Sequence, residues 1–387
     1  MFFSARCVLI MSIKEVLGMY IYECKGWPKF IWNAEDIQSA LSQAVFAQGK
    51  LLGKMGALGF DVKNEQVLSS VSDEIIKSSE IEGANLNLEQ VRSSVARRLN
   101  INYKSFTEPS RYVDGVVRMM MDAIDNYDRP LTQERLFSWH AALFPTGWSG
   151  MSEIEVGKFR SDKFGRMQVV SEHGRRKTIH YEAPKAEAIP DEVAKFLRWT
   201  YSVKPDLTAA AIAHLWFVTL HPFEDGNGRI TRAITEYMLA RCEKSQLRFY
   251  SMSKQIELSR RNYYDIIEHT QKGSLDITGW LIWFFDTLFD AISDADKTSE
   301  RLMFKARFWQ NLVDVDISAG QRKLINRLLD GFDGKMTSSR WANIRDCSQD
   351  TASREINGLI AKGVLLKEGV GRSTHYVINH DKIYQDE

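Results

Sequence analysis

The chain has 387 residues, enough for two or three domains, and sets 51 Lys and Arg residues against 50 Asp and Glu. So even a balance excludes bulk electrostatic attraction to nucleic acid or to a membrane surface. Its four cysteines (Cys7, Cys24, Cys242 and Cys347) show no paired spacing, which points to a reducing cytoplasm without disulfides or zinc, and no apolar run is long enough to cross a membrane.

Residues 1–18 are unlike the rest and read as an N-terminal extension. Their apolar run is short and broken by Arg6, and no small-residue cleavage site follows, which argues against a signal peptide; Met11 and Met19 are alternative internal starts. An N-terminal helical region is expected over 19–110. It opens on aromatics and Trp27-Pro28 and then turns helical. From Asn64 onward, Val67, Val71, Ile75 and Ile76 recur at helical spacing. That helix ends in SSEIEG, which holds Ser78, Glu82 and Gly83. Taken alone, this is a helix end with a solvated glutamate.

A central region follows over 111–300. Within it, residues 157–160 (GKFR), 167–170 (MQVV), 172–175 (EHGR) and 178–181 (TIHY) read as two short β-runs around a glycine-containing turn, a hairpin. The basic run 175–177 either steers an acidic target or is a solvated turn, and neither His173 nor His180 has metal-ligand spacing.

Leu207–Leu220 (LTAAAIAHLWFVTL) reads as a buried helix and 230–240 as another. Between them stands HPFEDGNGRITR, His221 to Arg232. Gly226 and Gly228 let a backbone approach a ligand closely, and their N–H groups lie where a helix begins, aimed at an anion. Asn227 adds a side-chain donor to this cradle. Arg229 and Arg232, on neighbouring parts of one helical face, suit a polyphosphate. Asp225 is a hard oxygen ligand fit for Mg²⁺. His221 is the one side chain in the run whose ordinary pKa allows proton transfer near neutrality. Pro222 stiffens the loop and Phe223 anchors it.

This run resembles the signature of the Fic (Fic/Doc) family, HPFx[D/E]GNGRxxR, at every specified position. The resemblance implies a protein adenylyltransferase that moves AMP from ATP to a Ser, Thr or Tyr hydroxyl of a target protein or of itself, releasing pyrophosphate. His221 would then take the hydroxyl proton, and Asp225 would hold Mg²⁺. Gly226, Asn227, Gly228 and Arg229 would form the anion hole, with Arg232 on the γ-phosphate. In this context Ser78, Glu82 and Gly83 resemble the family's inhibitory motif [S/T]xxxE[G/N]. Glu82 would pair with Arg232 in place of the γ-phosphate, which marks the subclass with an N-terminal inhibitory helix. The hairpin resembles the family's flap, along which a target segment pairs to present its hydroxyl. A homodimer is a further implication of the resemblance. Tyr264, with Tyr263 beside it, and Gln271 lie where the family walls its adenine pocket; core packing on a helix explains both tyrosines equally well.

Residues 286–306 read as a helix leading into a last domain, 317–387. Helices at 321–331, 341–346 and 350–362, then strands at 364–367 and 374–378 around Gly369-Val-Gly-Arg372, form the winged-helix pattern, which resembles the small C-terminal domain carried by this subclass. Arg340, Arg345, Arg354, Lys362 and Arg372 suit phosphates, but Asp346, Asp350, Glu355 and Glu368 dilute that charge, so DNA and protein contact stand level. The expectation is a mainly α protein, a Fic-fold helical core with a β-hairpin flap and a C-terminal winged helix, acting as an autoinhibited, Mg²⁺- and ATP-dependent adenylyltransferase. Removal of AMP by the same site, or a nucleotide-sensing DNA-binding regulator, are the alternatives.

Overall fold

A computed structural model describes residues 20–103, 106–163, 165–173 and 176–383. The 1–18 extension, Met19 and Arg175 lie outside the described residues. The chain divides into two compact units, one reaching Ala295 and the other starting at Asp296. Among the described residues no helix is long and apolar enough to cross a membrane.

In the first unit the helices are α1 (Ala34–Gly56), α2 (Phe60–Ile81), α3 (Leu88–Arg98), α4 (Arg111–Asp125), α5 (Gln133–Leu143), α6 (Ile189–Ser202), α7 (Leu207–Leu220), α8 (Asn227–Glu243), α9 (Met252–Leu258) and α10 (Arg260–Gln271). Local chemistry sets many of their starts. Asn33, Asn87, Ser110, Thr132 and Asp206 each accept a hydrogen bond from a first-turn N–H, a cap worth about 1 kcal/mol. Gly83, at φ +79°, ends α2 in the left-handed region that a side chain would resist.

Helix α7 is the axis of the unit. Every residue from Ala209 to Leu220 is buried, as its mostly apolar sequence predicts. It packs on α6 and α8, while α8 also meets α4 and α2. Full burial of Leu215, Phe217 and Leu220 stabilises the core by about 1.5–3 kcal/mol for each side chain. The predicted hairpin is present as β3 (Gln168–His173) and β4 (Arg176–Glu182), antiparallel, with an irregular register between Val169 and Val170. Tyr181 fixes it to the axis by donating to the Thr219 carbonyl at 2.6 Å. A second, tight hairpin, β1 (Trp148–Ser149) with β2 (Ser152–Glu153), has no counterpart in the sequence reading.

Helix α11 (Thr278–Gln310) ends within the second unit, which continues with α12 (Ala319–Leu329), α13 (Ser338–Arg345), α14 (Gln349–Ala361) and the antiparallel pair β5 (Leu365–Glu368) and β6 (His375–Ile378). These elements match the expected order; α11 extends eight residues earlier and four later than expected, and the boundaries of the elements after it differ by at most three residues. Its core gathers Phe308, Leu312, Leu324, Ile325, Trp341, Ile356, Leu359 and Leu365. Several of its basic side chains are engaged within the unit. Arg345 pairs with Glu355 at 2.9 Å, Arg340 donates to the carbonyls of Asp333 and Lys335, and Lys362 donates to that of Asp316.

Candidate active site

The loop 221–226 is held between two left-handed residues. His221 closes α7 at φ +47°, and Gly226 opens α8 at φ +80°. At Gly226 an added Cβ would meet the Phe144 ring at 2.9 Å and Leu143 at 3.1 Å, so both the turn and the packing require glycine. Helix α8 therefore begins at Asn227, three residues earlier than the apolar pattern indicated, because an αL glycine acts as its cap.

The His221 ring is half-buried, and its Nδ1 lies 3.2 Å from the Val218 carbonyl. A carbonyl only accepts, so Nδ1 carries the proton and Nε2 is left with its lone pair. Burial lowers the pKa of the ring, and the Arg160 charge adds to the effect, although the Val218 bond and the Glu82 and Asp225 carboxylates oppose it. The imidazole is therefore neutral at pH 7, with a free basic nitrogen, which is the form a general base needs.

Arg160 fixes the backbone of this residue. It is 3% exposed and donates from Nε to the His221 carbonyl at 2.7 Å and from Nη2 to the Pro184 carbonyl at 2.5 Å. Its own N–H reaches the Pro222 carbonyl at 2.9 Å. His140 supports the loop from below. Its ring stacks on Phe223 at 4.4 Å, Nε2 donates to the Asp225 carbonyl, and Nδ1 accepts from the Gly157 N–H. Burial pushes its pKa down to about 4, which keeps this arrangement neutral.

Asn227 corrects one expectation. Its Oδ1 accepts from the Phe223 N–H at 2.9 Å and its Nδ2 donates to the Phe223 carbonyl at 2.8 Å. The side chain that was expected to join an anion cradle instead staples the loop, because a buried backbone turn must have its polar groups satisfied. The Asp225 carboxylate accepts from the Ser149 hydroxyl and from the Gly226 N–H, and lies 3.9 Å from Arg229. Arg229 donates to the Tyr112 hydroxyl at 2.9 Å and lies over the Phe144 ring.

Helix α2 reaches across the start of α8. Arg232, 2% exposed, donates from Nε to the Ser78 hydroxyl and from Nη2 to the Ser78 carbonyl, each at 2.8 Å. The same Nη2 lies 2.7 Å from Glu82 Oε1. That carboxylate also presses on Gly228, where an added Cβ would stand 2.0 Å from Oε1. The residues of the two separate motifs thus meet, and a negative group already sits at the beginning of α8. The Glu82 charge raises the pKa of Arg232 against its burial.

The adenine-pocket residues are divided. Tyr263 is 1% exposed and its hydroxyl meets His214 Nε2 at 2.9 Å, so it belongs to the core. Tyr264 is 40% exposed and donates to the Ile81 carbonyl, next to Glu82. Gln271 is buried, and its amide donates to Thr219 at 3.3 Å, so it faces the interior. Sequence reasoning passed over His140, Arg160, Ser149, Tyr112 and His214. Only His214 carried a local signal, a histidine inside an otherwise apolar helix. It bridges Thr235 and Tyr263, and burial lowers its pKa to about 3. Among the described residues no three His, Cys, Asp or Glu side chains gather as a metal cluster. The lone Asp225 carboxylate still fits an ion such as Mg²⁺, which keeps most of its water and takes other ligands from phosphates.

Residues 130–239 match the Fic/DOC family, and residues 20–101 match a domain of unknown function, DUF4172. A protein adenylyltransferase Fic from Nematostella vectensis is 23% identical over 209 residues, 52% of this chain and 43% of the relative. A protein of the same name from Aedes aegypti is 26% identical over 211 residues, 52% of this chain and 37% of the relative. The chain thus matches less than half the length of these curated relatives. A crystal structure of a Fic family protein from Desulfovibrio desulfuricans G20 superposes with a TM-score of 0.51 at 20% identity, covering 90% of this chain and 97% of that one, a likeness of fold.

Proposed function

The chain is a Fic family protein, and on that footing we propose that it is an autoinhibited adenylyltransferase. It transfers AMP from ATP to a hydroxyl of a protein. The observation that carries this reading is the Glu82 carboxylate lodged between Arg232 and Gly228. A carboxylate held by a buried guanidinium at a helix start marks a place that receives anions, and a phosphate makes the same bonds.

His221 Nε2 accepts the proton of the target hydroxyl. That oxygen forms its bond to the α-phosphorus, the bond from phosphorus to the bridging oxygen breaks, and pyrophosphate leaves. The N–H groups at the start of α8 and Arg229 stabilise the charge that develops on phosphorus-bound oxygen. Asp225 is the residue that would hold Mg²⁺, which supplies charge neutralisation to the phosphates. Val170 and Ile179, paired across the hairpin and 38% and 47% exposed, offer a target segment an apolar surface beside an open strand edge.

Inhibition follows from one cation serving two anions. While Glu82 occupies Arg232, the triphosphate lacks its end anchor and its α-phosphorus is out of line with the attacking oxygen. Incubation of a lysate with α-labelled ATP, followed by mass spectrometry of labelled peptides, tests the reading. Glu82→Gly should label protein more strongly than wild type. His221→Ala should label none, and the double change Glu82→Gly with Arg232→Ala should lose the gain. Equal labelling by Glu82→Gly and by the double change Glu82→Gly with His221→Ala refutes the mechanism.

A further inference from the structure

Helix α2 carries a buried carboxylate two turns before Glu82. Glu74 is 2% exposed, and its four-residue spacing places it in a polar series with Gln66, Ser70, Ser78 and Glu82 that winds slowly around the helix. Its Oε2 accepts from the Ser251 hydroxyl and from the Ser253 N–H, each at 2.8 Å, while Oε1 accepts from the Ser253 hydroxyl. Gln66, one end of the series, donates to the Phe249 carbonyl at 2.8 Å.

Both contacts fall on the segment 248–253, which is itself tied to α8. Arg248 donates to Glu236 at 2.7 Å, and Glu236 lies one turn beyond Arg232 on that helix. The segment therefore acts as a bracket, holding the inhibitory helix on one side and the helix of the catalytic arginines on the other. One turn beyond Glu74 on the same helix lies Ser78, whose hydroxyl meets Arg232.

A buried charge with three donors is costly to leave without them, so this contact resists sliding more than the apolar packing around it does. Apolar neighbours accept small shifts, whereas hydrogen bonds weaken steeply with distance and angle. Nothing in the transfer chemistry calls on Glu74. Its carboxylate meets the bracket and not the Gly226–Arg232 turn.

We propose that Glu74 is a positioning residue for inhibition: its bonds to Ser251 and Ser253 fix α2 in the register that delivers Glu82 to Arg232. The proposal rests on the inhibitory role assigned to Glu82 above. When Glu74 lets go, α2 shifts on the bracket, Glu82 leaves Arg232, and AMP transfer increases without any change at the catalytic residues.

The test uses the full chain and α-labelled ATP, with Glu74→Gln, Ser253→Ala, Glu82→Gly and the double change Glu74→Gln with Glu82→Gly. Loss of one or two charge-assisted bonds should raise transfer by Glu74→Gln about tenfold. Ser253→Ala should raise it less, and neither should exceed Glu82→Gly. The double variant should equal Glu82→Gly alone, because release has nothing further to free. A merely structural role gives the opposite sign, lower transfer with lower stability. If Glu82→Gly raises transfer while folded Glu74→Gln stays at or below the wild-type rate, the proposal is overturned. A gain by Glu74→Gln that persists on top of Glu82→Gly also overturns it. Should Glu74→Gln fail to fold, Ser253→Ala carries the same two outcomes. No gain from Glu82→Gly itself would instead remove the inhibitory reading of that residue.

Discussion

Gly228→Ala separates two things that one carboxylate obscures. The new Cβ would stand 2.0 Å from Glu82 Oε1 and 2.8 Å from its Cδ, where ordinary contact begins at 3.4 Å. Glu82 must retreat from the new methyl by about 1.4 Å, and a retreat along the line of its 2.7 Å bond to Arg232 opens that bond to roughly 4 Å, beyond hydrogen-bonding range. A lost bond to a charged group costs about 1.5–3 kcal/mol, enough to shift the helix from Arg232 by roughly ten- to a hundredfold. Alanine in the first turn returns up to about 1 kcal/mol of helix propensity, so the fold itself should tolerate the change. If inhibition were the whole story, transfer would rise. The methyl, however, projects into the place that the phosphates are proposed to take. ATP use should therefore fall, and adding Glu82→Gly should not rescue it. Isothermal titration with ATP, beside the labelling assay, reads both effects. Wild-type ATP affinity together with transfer as fast as Glu82→Gly would refute the placement of the phosphates at Gly228.

Other expectations follow from the same geometry. With its pKa below the ordinary imidazole value, His221 is mostly neutral at pH 6.5 and above, so transfer by Glu82→Gly should fall to half only in solution more acid than pH 6.5; a rate halved at or above pH 6.5 would contradict the lowered pKa. Arg160→Lys cannot reproduce the forked bonds to His221 and Pro184, and should cost about 1–3 kcal/mol in stability and about tenfold in rate, measured by denaturant midpoint and by labelling. His140 and His214 have folded pKa values of about 4 and about 3 against an ordinary 6.5. The unfolded chain then binds more protons below about pH 6.5, so stability is lost as pH falls, by about 2.5 kcal/mol for each ring at about pH 4.5. A midpoint unchanged between those pH values would show that the rings protonate in the folded state.

The local signature was legible because it is local: six loop residues and the first six residues of α8 hold His221, Gly226, Gly228, Arg229 and Arg232. Glu82 was legible only beside that signature, since nothing in SSEIEG itself says which cation it meets. What the sequence hid lies in contacts made across the fold. Arg160 stands 61 positions before the carbonyl it clamps and His140 stands 85 before Asp225. Asn227 was misread for a different reason. A Gly-Asn-Gly turn displays its donors as if to solvent, while the packed loop needed that amide for Phe223. In the second unit the elements were readable from periodicity and turns, but the engagement of Arg345 by Glu355 was not.

The overlap of Glu82 with the place proposed for phosphate has a thermodynamic corollary. If α2 and ATP exclude one another at Arg232, each must weaken the other by the same factor, whichever is varied. A nucleotide that fills the site should loosen α2, and hydrogen exchange along 74–83 should quicken as ATP is added to the wild-type chain. Conversely, Glu82→Gly should melt earlier than wild type without ligand yet gain more degrees when ATP is present, since none of its binding energy is spent displacing a tethered anion. The clasp would then report nucleotide concentration as well as oppose transfer, a sensor made from competition at a single guanidinium.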